Sequence, residues 1–86
     1  MGLESVELVL AWEEAFDIAI ADEDAEKLIT PKHACDLIER ELALVGREVS
    51  RSEIEAQVEA ITIEQLGITA EEFRWDARFV EDFRID

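Results

Sequence analysis

Few residues in this 86-residue chain could do covalent or metal chemistry. There is one cysteine, Cys35, so an internal disulfide and a cysteine-based metal cluster are both excluded. With only one histidine, His33, a zinc site is not expected either. His33 falls in the first turn of an expected helix, with no Cys or Ser nucleophile at a diagnostic spacing, and reads as a surface residue. Asp22-x-Asp24 begins like a calcium loop, but the required Gly and terminal Glu do not follow. Loose divalent-cation binding to the acidic surface is what remains of metal chemistry. No glycine-rich phosphate loop and no G-x-S-x-G elbow occurs. No acid/base pair with supporting groups can be named, so a binding protein rather than an enzyme is expected.

Charge narrows the partners. Twenty-three Asp and Glu against eight Lys and Arg give a net charge of −15, with 49% hydrophobic residues and 36% charged. That apolar fraction is too high for a disordered acidic tail and suits one small domain. Phosphate backbones and anionic membranes repel such a surface, so neither nucleic acid nor membrane is an expected partner. A basic patch on another protein is the natural complement. No apolar run has the length of a membrane span. The first residues lack the basic region of a signal peptide, and Val6 stands where N-myristoylation needs Ser or Thr. The cytoplasm, with Cys35 reduced, is the expected compartment.

The elements that would carry these residues read as helices. One Pro, three Gly and no Tyr favour an all-α fold. Leu3 to Phe16 forms the first helix, with Leu8, Trp12 and Phe16 recurring every four residues and Val9 beside them. A second stripe, Leu3, Val6 and Leu10, is set among Glu4, Glu7, Glu13 and Glu14. It is either the edge of one broad core face or a docking surface ringed by carboxylates. A loop anchored by Ile18 and Ile20 leads to a short helix opening at Asp22, with acids in its first turn. Thr30-Pro31 caps a helix to about Ala43 that buries Ala34, Leu37, Ile38 and Leu42, with Cys35 a small core residue, and Gly46 ends it. Ser50-Arg-Ser-Glu53 and Ser52-Glu-Ile-Glu55 both fit a capping box for a helix from about Glu53 to Leu66, stopped by Gly67. Its apolar face is Ile54, Val58, Ile61 and Leu66. Thr69-Ala-Glu-Glu72 starts a single turn, and Phe79, Val80 and Phe83 are anchors of the remainder.

The run Leu3-Glu-Ser-Val-Glu-Leu-Val, then Glu13-Glu-Ala-Phe16, then Ile20-Ala-Asp-Glu-Asp-Ala-Glu-Lys27 closely resembles an acyl carrier protein. The family reads Asp-(Ser/Thr)-Val-Glu-Leu-Val after its Asp-Ser-Leu motif, then Glu-Glu-x-Phe, then Ile-Pro-Asp-Glu-Glu-Ala-Glu-Lys. The likeness runs without a gap over residues 2–38. Val58-Glu-Ala-Ile, Glu64-Gln-Leu-Gly-Ile, Glu71-Glu-Phe and Asp76-Ala-Arg-Phe-Val-Glu-Asp82 look like the family's first helix and following loop, which normally precede the modified Ser. The resemblance therefore implies a four-helix bundle in circularly permuted order: family helices II–IV in residues 1–43, a linker in 44–52, helix I and its loop in 53–86. The other reading of 51–86 is an appended segment.

What the resemblance implies for function is mixed. The family's Ser carries 4′-phosphopantetheine at the start of helix II, where free N–H groups favour a phosphate. Gly2 stands at that position and offers no hydroxyl. Leu8, Val9, Trp12, Phe16, Leu28 and Ala34 match positions that line the acyl cavity, and an indole at Trp12 would fill much of it. The recognition surface survives: Leu3, Glu4, Val6, Glu7, Leu10, Glu13, Glu14, Asp22 and Glu23 match the region that basic surfaces of acyl-handling enzymes grip. The expected function is a docking module in fatty-acid or polyketide-type metabolism without a prosthetic group of its own. The alternatives are a genuine phosphopantetheine-bearing carrier, or an oligomer in which Asp86 of one chain meets Met1 of the next.

Overall fold

The structure, a computed structural model, describes residues 3–79. The fold is all-α. Helix α1 spans Leu3–Phe16, α2 Asp22–Glu26, α3 Pro31–Leu44 and α4 Arg51–Leu66. Residues 68–79 follow as turns and irregular chain, and no strand occurs among the described residues.

Local chemistry sets each boundary. Thr30 Oγ1 accepts from His33 N at 3.3 Å, and Pro31 opens α3 where its missing N–H costs nothing. At the other end Gly46 adopts φ +74°, which lets Arg47 N reach back to Leu42 O at 2.9 Å. Of the two candidate caps for α4, Ser50 is the one used: its Oγ accepts from Glu53 N at 3.2 Å. The helix therefore begins at Arg51, before the expected Glu53, and Ser52 lies inside it. Gly67, at φ +65°, ends α4 as expected. The Thr69 box closes in both directions, Thr69 N to Glu72 Oε1 at 2.9 Å and Glu72 N to Thr69 Oγ1 at 3.2 Å, around a turn.

One core joins the helices. α4 packs against both α1 and α3. Leu8, Trp12 and Phe16 of α1 meet Ala34, Cys35, Ile38 and Leu42 of α3, Ile54 and Val58 of α4, and Phe79. Helix α4 and Phe79 are thus integral to the core rather than attached beside it. Thr62 is also fully buried on α4, where Ile61, only half-buried, was expected. Its hydroxyl is satisfied within the helix, donating to Val58 O at 2.6 Å. A satellite cluster of Ile20, Ala25 and Leu37 holds α2 against α3. Arg40 Nη2 reinforces this at 3.1 Å from Asp24.

The segment after α4 is strapped over the α2–α3 connection. Lys32 N donates to Trp75 O at 3.1 Å, and Phe79 N donates to Ile29 O at 2.9 Å. Phe73 and Ala77 are buried beneath it, and the Trp75 ring stands edge-on to Phe73 at 4.9 Å. Phe79 is the anchor expected there; Val80 and Phe83 lie outside the described residues.

Candidate functional site

The first 26 residues contain nine carboxylates and no Lys or Arg. They build α1 and α2, and the angle between these helices leaves a groove of ≈ 290 Å³. Its base is Val9, Ile20 and Ala25, with Val6 and Leu10 exposed along one side and Glu13, Asp22 and Glu26 around it. Val6 is 41% exposed and Leu10 52%, so these two residues of the second stripe lie outside the core instead of forming its edge. Large apolar side chains this open, next to one another and rimmed by one sign of charge, are the composition of a protein-binding surface.

The expected docking residues divide into three groups. Glu7, Glu14, Asp22 and Glu23 are exposed carboxylates of α1 and α2, and of these Asp22 lines the groove. Glu13 is half-buried and already engaged: its Oε2 accepts from Ile20 N at 2.7 Å. Leu3 and Glu4 belong to the first turn of α1, but their side chains, like all of Gly2, lie outside what is described. Three groove residues were not expected at a site: Ile20, read only as a loop anchor, Ala25 and Glu26. Glu26 sits one turn beyond Asp22, and that spacing could have revealed it. Ala25 carries no such signal.

The face matched to an acyl cavity is packed. Leu8, Trp12, Phe16 and Ala34 are core residues, with Val9 and Leu28 half-buried against them. Trp12 is 1% exposed, and its ring lies 5.9 Å from that of Phe79. Its Nε1–H has no partner among the described residues.

Other groups are ordinary. Burial pushes the Cys35 thiol up to about 12; the nearby Arg51 opposes that, while Glu55, Asp36 and Glu39 add to it. A thiol so held is protonated and inert at neutral pH. Arg51 opens α4, and its guanidinium links that helix to α3, 2.8 Å from Asp36 and 3.2 Å from Glu39, and 3.1 Å from Glu55 of α4 itself. Desolvation would lower its pKa, but the hydrogen bonds to Asp36 and Glu55 carry it above its ordinary value. His33 is exposed at the start of α3. No three His, Cys, Asp or Glu among the described residues converge to hold a metal ion. Nor is any helix among them long and apolar enough to cross a membrane.

A wider groove runs beside the α2–α3 connection, lined by Ile29 and Thr30 with Glu26 and Asp76 but also His33 and Arg78. Its mixed charge gives no preference for the sign of a ligand. The α1–α2 groove has that preference.

No family model and no solved structure matches this chain. The reading of its function therefore rests on the groove and on the residues that build it.

Proposed function

We propose that the protein is a docking module of acyl-carrier type, with permuted helix order, that presents the α1–α2 groove to a basic surface of an acyl-handling enzyme and bears no prosthetic group itself. The observation that carries the docking half is the exposed Val6–Leu10 pair in a groove rimmed only by carboxylates. A cationic amphipathic helix is the complement: apolar side chains would cover Val6 and Leu10 while Lys or Arg reach Glu7, Glu14, Asp22 and Glu23. Two features support the absence of a prosthetic group. Gly2 has no hydroxyl to form a phosphodiester, and Trp12 with Phe79 fills the face where an acyl chain would lie. The reading is of a binding protein, not an enzyme, and places it in the cytoplasm.

Two measurements test it. Intact mass should be unchanged after incubation with a phosphopantetheinyl transferase and coenzyme A; a shift of one phosphopantetheine would make the chain a genuine carrier. A synthetic helical peptide with lysines on one face and leucines on the other should bind at low salt and weaken as salt rises. A peptide that does not bind at low ionic strength removes the docking reading.

A further inference from the structure

Glu13 does two jobs in one place. It lines the groove, and its carboxylate reaches seven residues along the chain to accept from the Ile20 amide at 2.7 Å. The backbone runs alongside: Ile18 N donates to Glu13 O at 3.1 Å. Ile20 is 7% exposed and packs with Ala25 of α2 and Leu37 of α3. The position of α2, which forms the far side of the groove, therefore depends on a bond made by a residue on the near side. A carboxylate has two oxygens and room for about four hydrogen bonds. Oε2 holds the loop, and Oε1 remains for a cation in the groove.

We propose that Glu13 couples occupancy of the groove to the anchoring of α2. A ligand cation on Oε1 fixes the carboxylate in the rotamer that holds Ile20 N. Ordering the side chain is then needed once for two interactions, so each favours the other. Such coupling is reciprocal: if the loop bond strengthens binding, binding must strengthen the loop bond by the same factor. Glu13 is thus a positioning residue as well as a docking charge. This inference rests on the docking reading above.

The test separates the two roles in the full chain, with the lysine–leucine peptide as probe and its lysine-to-glutamate version as control. Glu13→Gln keeps an acceptor for Ile20 N and removes the charge. Its Ile20 amide should exchange with solvent as in wild type, while peptide affinity falls about five-fold, the scale of one partly exposed ion pair. Glu13→Ala removes both, and Ile20 exchange should accelerate about ten-fold, the scale of one lost hydrogen bond to a charged group. Saturating peptide should slow Ile20 exchange in wild type and leave it unchanged in Glu13→Ala. Equal binding by Glu13→Gln, or Ile20 exchange in wild type indifferent to bound peptide, overturns the coupling alone. A peptide that fails to bind wild type overturns the docking reading and the coupling with it. Binding of the control peptide overturns the charge argument common to both.

Discussion

Trp12 and Cys35 show how burial decides what a side chain can do. The Trp12 indole shares one core with residues of α3 and α4 and lies beside the Phe79 ring, so truncation leaves a large void. Trp12→Ala should destabilise the protein by about 3–5 kcal/mol in urea unfolding. Trp12→Phe should cost only about 1 kcal/mol, because it keeps a ring beside Phe79 and removes an N–H that lacks an acceptor among the described residues. Equal losses for both would mean that the indole nitrogen carries weight in the fold. For Cys35, burial raises the thiol pKa to about 12 in the folded state, against the 9.0 of a free thiol in the unfolded chain. A raised pKa contributes stability that is complete below pH 9 and is lost as pH climbs toward 12. The melting temperature should therefore fall across that window with a slope that Cys35→Ala reduces. Iodoacetamide should label Cys35 slowly in native buffer at pH 8 and readily in urea; fast native labelling would contradict the burial.

At the scale of elements, the least expected contact is Arg47. It follows α3, yet its guanidinium donates to Phe16 O and Asp17 O at the end of α1. α1 has no basic residue in its last turn, and Asp17 takes a left-handed φ of +53° there. A cation from a distant loop thus satisfies carbonyls the helix leaves open and offsets its dipole. Arg47→Ala should cost about 1–2 kcal/mol and raise amide exchange in the last turn of α1. An unchanged urea midpoint would show that water caps the helix equally well.

That contact also marks where sequence reading stops. Thr30-Pro31, Gly46 and Gly67 each encode a helix end through interactions only a few residues long, and all three ends fall where they are expected. The four-residue stripe of Leu8, Trp12 and Phe16 likewise announces a buried face. Val6 and Leu10 were ambiguous, because a helix period cannot tell the edge of a core from a surface groove. The choice depends on how close α2 lies. The bonds from Arg47 to α1 and from Phe79 to Ile29 join residues far apart in sequence, and the seven-residue reach from Glu13 to Ile20 follows no helical or turn spacing, so no local pattern announces them. Phe73 and Ala77 lie in a stretch without period, so their burial left no trace in the spacing.

For the whole molecule, charge is the governing quantity. A net −15 on a body with a radius of gyration of 12.0 Å makes self-repulsion a standing cost to the folded state. Sodium chloride should raise the melting temperature by screening, and magnesium should do so at lower concentration. A melting temperature that is flat in both salts would mean that the ion pairs of Arg51 and Arg40 already balance the field. Salt should act oppositely on docking: the affinity of a cationic partner falls over the range where stability rises.

The strap across the α2–α3 connection has a consequence for how the protein is made. Phe79 bonds to Ile29, and it also covers Trp12. The separation from Ile29 to Phe79 is 79 − 29 = 50 residues. At a synthesis rate of about 5–20 residues per second, that gap takes roughly 3–10 s. Small helical domains fold in microseconds to milliseconds. Completion of the core therefore waits on the ribosome and not on the search of the chain. Through that interval the cover of Leu8, Trp12 and Phe16 is incomplete: α3 and α4 supply theirs first, and Phe79 follows. The nine carboxylates made before Lys27 are then the nascent chain's own protection against association, a service finished before any partner can meet the groove.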